Sequence, residues 1–319
     1  MSHKNTATQR NRRQGRNTNR RDRVVSTRNQ MDRHIKELIE AMRQGKSEQL
    51  IAYLDFASRF HRYSVSNQIL IWTQRPTATW VAGLRRWNEL GRRVKPGERG
   101  IMIFAPIHYR KDKVTRQHDE DGGGEPEETT EELVVKTFRP VFVFDVSQTE
   151  GRPIPKLQHA KGDTEQILPA LRSFIESRQI ELVETCNDSK HLLPPGAEGI
   201  SAGGRIVVDG SLPQAEMFRV VSHELAHEIL HHDSQERPDR RSRETEADAA
   251  AFITCKHFGL ECDASDYLLL YDSSTEVLMS RLESIRRASS AIIEGIESEL
   301  EPHHEPATQA AEVVSAGSC

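Results

Sequence analysis

The run Val220-Val221-Ser222-His223-Glu224-Leu225-Ala226-His227-Glu228-Ile229-Leu230-His231-His232 sets His-Glu-x-x-His inside an otherwise apolar helical stretch. Residues four apart share a helix face, so His223 and His227 can offer two imidazole nitrogens to one ion. Glu224, beside the first of them, can take a proton from water at that ion without binding it. The competing reading is a surface helix with scattered polar heads. Against it, Val220, Val221, Leu225, Ala226, Ile229 and Leu230 draw the segment into a core, where three ionisable groups are costly without a purpose. The pattern predicts one Zn2+ per chain.

The third ligand decides the subclass. A third histidine at metzincin spacing would fall at 233, which is Asp233, so that arrangement is excluded. Downstream, Arg243-Glu244-Thr245-Glu246-Ala247-Asp248 opens an Ala-rich helix. Glu244 and Asp248 share one face, while Glu246 points elsewhere. Glu244 is the expected ligand and Asp248 the outer carboxylate that orients a ligand imidazole. Glu246 stays open as the rival ligand. His231, one turn past His227, is either an alternative ligand or a helix-end histidine packed near the site.

Segment 200–258 resembles the zinc peptidase core of the ImmA/IrrE type, in which a strand like Arg205-Ile206-Val207-Val208 precedes the His-Glu-x-x-His helix. The Glu-x-x-Ala-Asn/Asp motif of that family is matched by Glu244, Ala247 and Asp248. Residues 31–110 resemble the N-terminal single-stranded-DNA-binding domain of the antirestriction protein ArdC. That likeness rests on Tyr63-Ser64-Val65-Ser66-Asn67-Gln68-Ile69-Leu70-Ile71, Trp80, Trp87 and Lys95-Pro96-Gly97-Glu98-Arg99-Gly100. The resemblance implies an α+β chain, with an ArdC-like N-terminal domain followed by a mostly helical, gluzincin-like zinc peptidase domain with a small sheet. It also implies protection of incoming DNA from restriction.

The charge distribution agrees with two tasks. Residues 1–118 carry 26 Lys/Arg against 9 Asp/Glu, and the other 201 carry 18 against 39, although the whole chain is only −4. A basic front half favours polyanions, and the rear half repels them. A length of 319 residues suits two domains. No segment approaches the roughly 20 apolar residues that span a bilayer, and no apolar core follows the basic N-terminus as in a signal peptide. Cys186, Cys255, Cys262 and Cys319 form neither a disulfide framework nor a Cys-x-x-Cys pattern, so a cytoplasmic, non-membrane protein is expected.

In chain order, residues 1–30 read as a disordered basic arm and 31–146 as the DNA-binding domain. Within it, Phe56, Phe60, Trp72 and Trp87 fall on apolar stripes and read as core. Tyr63, Asn67 and Trp80, with Arg85, Arg86, Arg92, Arg93, Lys95 and Arg99, are the candidate nucleic-acid contacts, because single-strand binding combines stacking rings with phosphate-reaching cations. An acidic loop, 119–132, interrupts a hairpin whose first strand is Ile101–His108 and whose strand-like text resumes at Leu133–Lys136 and Pro140–Val146. Residues 147–162, with Gly151, Pro153 and Pro155, read as a linker. The peptidase domain is expected over 163–300 and a disordered tail over 301–319. Gly199–Val208 reads as one strand, able to pair with an extended peptide. Tyr267 and Tyr271 are candidate oxyanion donors.

Three functions compete. The leading one is a zinc-dependent metalloendopeptidase with a single-stranded-DNA-binding domain and an antirestriction role. The others are a DNA-protecting protein whose zinc domain is structural, and a peptidase whose protein substrate is a DNA-bound repressor.

Overall fold

The computed structural model describes residues 25–29, 31–33, 35–37, 40, 48–114, 129–153, 164–186, 189–232, 238–262 and 275–300; the side chains of 107–114, 129–137 and 190 are outside that description. The chain divides into two compact units, 1–158 with 240–249 and 264–286, and 159–239 with 250–263 and 287–319. The fold is mixed α and β.

In the first unit, helix α1 (Glu48–Arg59) buries Leu50, Tyr53, Leu54, Phe56 and Ala57 at helical spacing. Helix α2 (Val65–Gln74) is capped by Ser64, whose hydroxyl accepts from the Asn67 amide at 3.4 Å. It stops ahead of Pro76, whose ring disfavours helix in the residue before it. Next come β1 (Val81–Gly83), α3 (Leu84–Glu89), β2 (Arg92–Val94), β3 (Ile101–Val114) and β4 (Thr129–Asp145). One antiparallel sheet runs β1-β4-β3. Phe56, Phe60, Ile71, Ala78, Val81, Ile101, Ile103 and Val143 form a core between helices and sheet.

The strands of the hairpin are longer than the sequence suggests. β3 runs through the charged stretch to Val114, and β4 starts at Thr129, so Glu131 and Glu132 of the expected acidic loop are strand residues. A charged stretch can still form a backbone ladder, and Lys111 is in register with Glu132. Residues 115–128 of that loop lie outside the described residues.

β3 is an edge strand, and α2 covers its open side. The Asn67 amide donates to the Phe104 carbonyl and accepts from the Phe104 N–H, both at 2.9 Å. Two turns on, Gln74 does the same for Met102, at 2.8 and 2.9 Å. Two side-chain amides thus stand in for a missing strand and satisfy backbone groups that would otherwise recruit another chain.

Two expected boundaries move. Residues 25–29, placed in the basic arm, are helical; Thr27 is buried and the Arg28 guanidinium lies 5.7 Å from the Phe104 ring centroid. Residues 147–151, placed in the linker, form the rest of a 3-10 turn (Val146–Gln148) and strand β5 (Thr149–Gly151), which pairs antiparallel with β2. Gly151, a breaker by sequence, lets two backbones meet. A Cβ there would stand 2.5 Å from the Gly91 carbonyl oxygen. Residues 1–24, 154–163, 263–274 (with Tyr267 and Tyr271) and 301–319 are outside the described residues.

The second unit has α4 (Thr164–Ser177), β6 (Glu181–Thr185), β7 (Gly199–Ser201), β8 (Arg205–Asp209) and α5 (Gln214–His231). Its sheet runs β6-β8-β7, with β6 parallel and β7 antiparallel to β8. The expected single strand 199–208 is therefore a hairpin. Gly203 and Gly204 both take left-handed φ, 68° and 81°, which suits the two-residue turn that matches strand twist. As the central strand, β8 buries Ile206, Val207 and Val208 in succession. It ends in a turn where Asp209 accepts from the Ser211 N–H and hydroxyl at 3.0 and 2.7 Å, and α5 starts after Pro213. Helices α6 (Arg240–His257) and α7 (Thr275–Leu300) complete the described elements.

Candidate metal centre and nucleic-acid interface

Helix α5 buries Met217, Phe218, Val220, Val221, Leu225 and Ala226, which leaves His223 and His227 together on its half-buried face. Their Nε2 atoms lie 3.1 Å apart and their ring planes are inclined at 77°. Two nitrogens bound at about 2.05 Å to one tetrahedral ion stand about 3.3 Å apart, so the pair is close to ligating geometry. One ligand atom each from His223, His227 and Glu244 lie within 4.8 Å of one another. Glu244 is exposed. Two imidazoles and a carboxylate suit a borderline divalent ion such as zinc.

The other candidates are not among that trio. Glu246 is buried, Asp248 is half-buried on the same helix as Glu244, and neither is in the converged group. His231 is buried, with its ring centroid 5.5 Å from that of His227.

Glu224 is buried under the first residue of the edge strand β7. A Cβ at Gly199 would stand 2.9 Å from Glu224 Oε1 and 2.7 Å from Val220 Cγ1. The hairpin is held there by Glu228, the residue after the second histidine. Its carboxylate accepts from the Ser201 hydroxyl at 2.5 Å and from the N–H groups of Gly203 and Gly204 at 2.9 and 2.8 Å. Burial alone would raise the Glu228 carboxyl. The Gly204 amide, the Ser201 hydroxyl, the Gly203 amide and the nearby His232 outweigh it and hold the group below its ordinary range. Sequence reasoning missed both Gly199 and Glu228. The glycine pair at 203–204 was the available signal, since consecutive left-handed amides make an anion nest.

The nucleic-acid candidates fall into two sets. Asn67 is occupied by the β3 edge, as above. Tyr63 is half-buried, packs against the core cluster and donates to the Val81 carbonyl at 3.2 Å; burial pushes its phenol up. Arg92 is turned inward, donating to Thr149 Oγ1 at 2.8 Å, to the Thr149 carbonyl at 3.0 Å and to the Arg152 carbonyl. The outward set is Trp80, Arg85, Arg86, Arg93, Lys95 and Arg99, all exposed. Trp80 is 41% exposed and tilted over the buried Trp87, with centroids 5.9 Å apart, so one ring face is supported while the residue stays open to solvent. Lys95 donates to the Ser147 carbonyl at 3.0 Å, and Arg85 and Arg86 pair with Glu89.

No helix among the described residues is long and apolar enough to cross a membrane. An uncharacterised protein of Bacillus anthracis is 22% identical over 274 residues, which are 75% of this chain and 46% of that protein. The chain thus spans under half the length of that relative. Two crystal structures of the antirestriction ArdC protein from the R388 plasmid overlap it loosely. The metal-free one is 16% identical, covers 74% of this chain and 86% of its own, and has a TM-score of 0.43. The Mn(II)-bound one is 15% identical, covers 83% and 97%, and has a TM-score of 0.46. Such loose overlaps transfer no site. Residues 22–144 match the family described as the N-terminal domain of anti-restriction factor ArdC, and that part of the chain is ArdC-like.

Proposed function

We propose that this chain is a zinc-dependent peptidase with a single-stranded-DNA-binding N-terminal domain, acting in the protection of DNA against restriction. The observation that carries the reading is the convergence of His223, His227 and Glu244 to within 4.8 Å, with the buried Glu224 one residue from His223. A bound divalent ion supplies a Lewis acid that polarises a carbonyl and acidifies water. Glu224 then has the part of general base: its carboxylate takes the proton of the attacking water and returns it to the leaving amine. Edge strand β7 offers main-chain groups along which an extended peptide can lie. A protein met on DNA, such as a bound repressor, is a substrate that the N-terminal domain would bring near. The ArdC-like match of residues 22–144 and their exposed cations support the DNA-protecting half.

The test uses the zinc-loaded full chain and its Glu224→Gln variant, each given a peptide pool and a single-stranded oligonucleotide. Cleavage by the parent alone, with equal DNA affinity in both, is expected. No cleavage by either, with single-strand affinity retained by both, would remove the peptidase half and leave protection by binding.

A further inference from the structure

The end of α3 and the β2–β5 pair enclose a polar cleft lined by Asn88, Glu89, Gly91, Arg92, Arg93 and Arg152. Three arginines and one glutamate are among its lining residues, and the arginines are not equivalent. Arg92 is a strut whose donors hold the backbone of Thr149, Gly151 and Arg152. Arg93 and Arg152 are exposed, and among the described residues their guanidinium groups have neither an ion pair nor a hydrogen bond. Arg152 reaches the cleft because the Gly91 carbonyl accepts from its N–H at 3.2 Å and its side chain lies across Gly91. A Cβ at Gly91 would stand 2.8 Å from Arg152 Cδ.

The acids nearby do not cancel these cations. Glu89 is tied to Arg85 and Arg86 at 3.0 and 3.2 Å, and their hydrogen bonds, Arg86 first, lower its pKa. Glu150 is the cross-strand neighbour of Arg93 but makes no ion pair with it. The cleft therefore keeps two exposed planar forks, without an ion pair among the described residues, of the kind that grip phosphate oxygens in pairs.

We propose that this cleft is a phosphate pocket, in which Arg93 and Arg152 hold one phosphate group of a bound single strand while Arg92 fixes the pocket's shape. The pocket rests on the DNA-binding reading of the N-terminal domain and extends it to Arg152, which lies beyond the family match at 22–144. The strand is the occupant because residues 1–118 hold 26 Lys/Arg against 9 Asp/Glu, a surplus that favours a polyanion.

The experiment measures binding of the full chain to single-stranded oligonucleotides across a salt series, for the parent and for Arg93→Gln, Arg152→Gln and Glu150→Gln. Each arginine variant should weaken binding several-fold and make log affinity fall less steeply with log salt, by up to about 0.7, the value for one phosphate contact on a single strand. Glu150→Gln should bind as tightly as the parent or tighter. Oligonucleotides with a 5′-phosphate and a 5′-hydroxyl separate two sources of the phosphate. A gain from the 5′-phosphate that disappears in Arg152→Gln assigns the pocket to the strand end; equal binding of both, with the arginine effects intact, assigns it to an internal phosphodiester. If the parent binds but both arginine variants keep its affinity and slope, the pocket is wrong and the domain reading stands. If the parent binds no single strand, the domain reading fails first.

Discussion

Gly199 lies against the Glu224 carboxylate: a methyl group on its α-carbon would stand 2.9 Å from Oε1 and 2.9 Å from Cγ of Glu224. The Glu224 side chain can yield, but Val220 Cγ1, at 2.7 Å, belongs to a buried residue. Gly199→Ala should therefore overpack the seam between β7 and α5, costing about 1–3 kcal/mol, and displace the carboxylate. The expected outcome is a lower unfolding midpoint and reduced hydrolysis with the metal content unchanged. An unchanged midpoint would mean that β7 does not rest on Glu224.

Asn67 separates a structural from a recognition role. Asn67→Ala leaves the N–H and carbonyl of Phe104 without the two bonds now made at 2.9 Å, a loss of about 1–3 kcal/mol. Urea unfolding should show that loss, while DNA affinity per folded molecule stays at the parent value. Weakened DNA binding without a change in stability would instead make Asn67 a contact to the strand.

Asp145 links stability to pH. Burial alone would raise its carboxyl, but the Ser147 hydroxyl and the N–H groups of Thr79, Ser147 and Trp80 outweigh burial and hold it below its ordinary value. A depressed carboxyl stabilises the fold fully above the unfolded pKa, about 3.9, and the contribution fades as pH falls through the lower folded value. The parent should be more stable than Asp145→Asn at neutral pH, with the gap closing below about pH 3.9. Thermal melts of both proteins over pH 2.5–7 would show it; a constant gap would contradict it.

Much of this arrangement was legible in the sequence because it is local. Helix α5 carries its ligand spacing in five consecutive residues, and α2 announces itself by Ser64 at one end and Pro76 beyond the other. What escaped depends on residues far apart in the chain. The structural part of Asn67 was hidden because its partner, Phe104, is 37 residues away. Arg152 looked like linker because only the pairing of β5 with β2 carries it to Arg93. Gly199 looked like ordinary strand because sequence alone does not reveal which helix residue lies beneath it.

The most direct measurement is elemental analysis of the purified full chain and four variants. The parent and Glu224→Gln should each carry one zinc per chain, because the proposed centre uses Glu224 as a base and not as a ligand. His227→Ala and Glu244→Ala should lose most of it, and Glu246→Ala should keep it, since the converging ligand atoms are those of His223, His227 and Glu244. Loss of zinc in Glu246→Ala with retention in Glu244→Ala would move the third ligand to Glu246. A parent protein without bound metal, or a Glu224→Gln variant stripped of it, would contradict the metal centre itself.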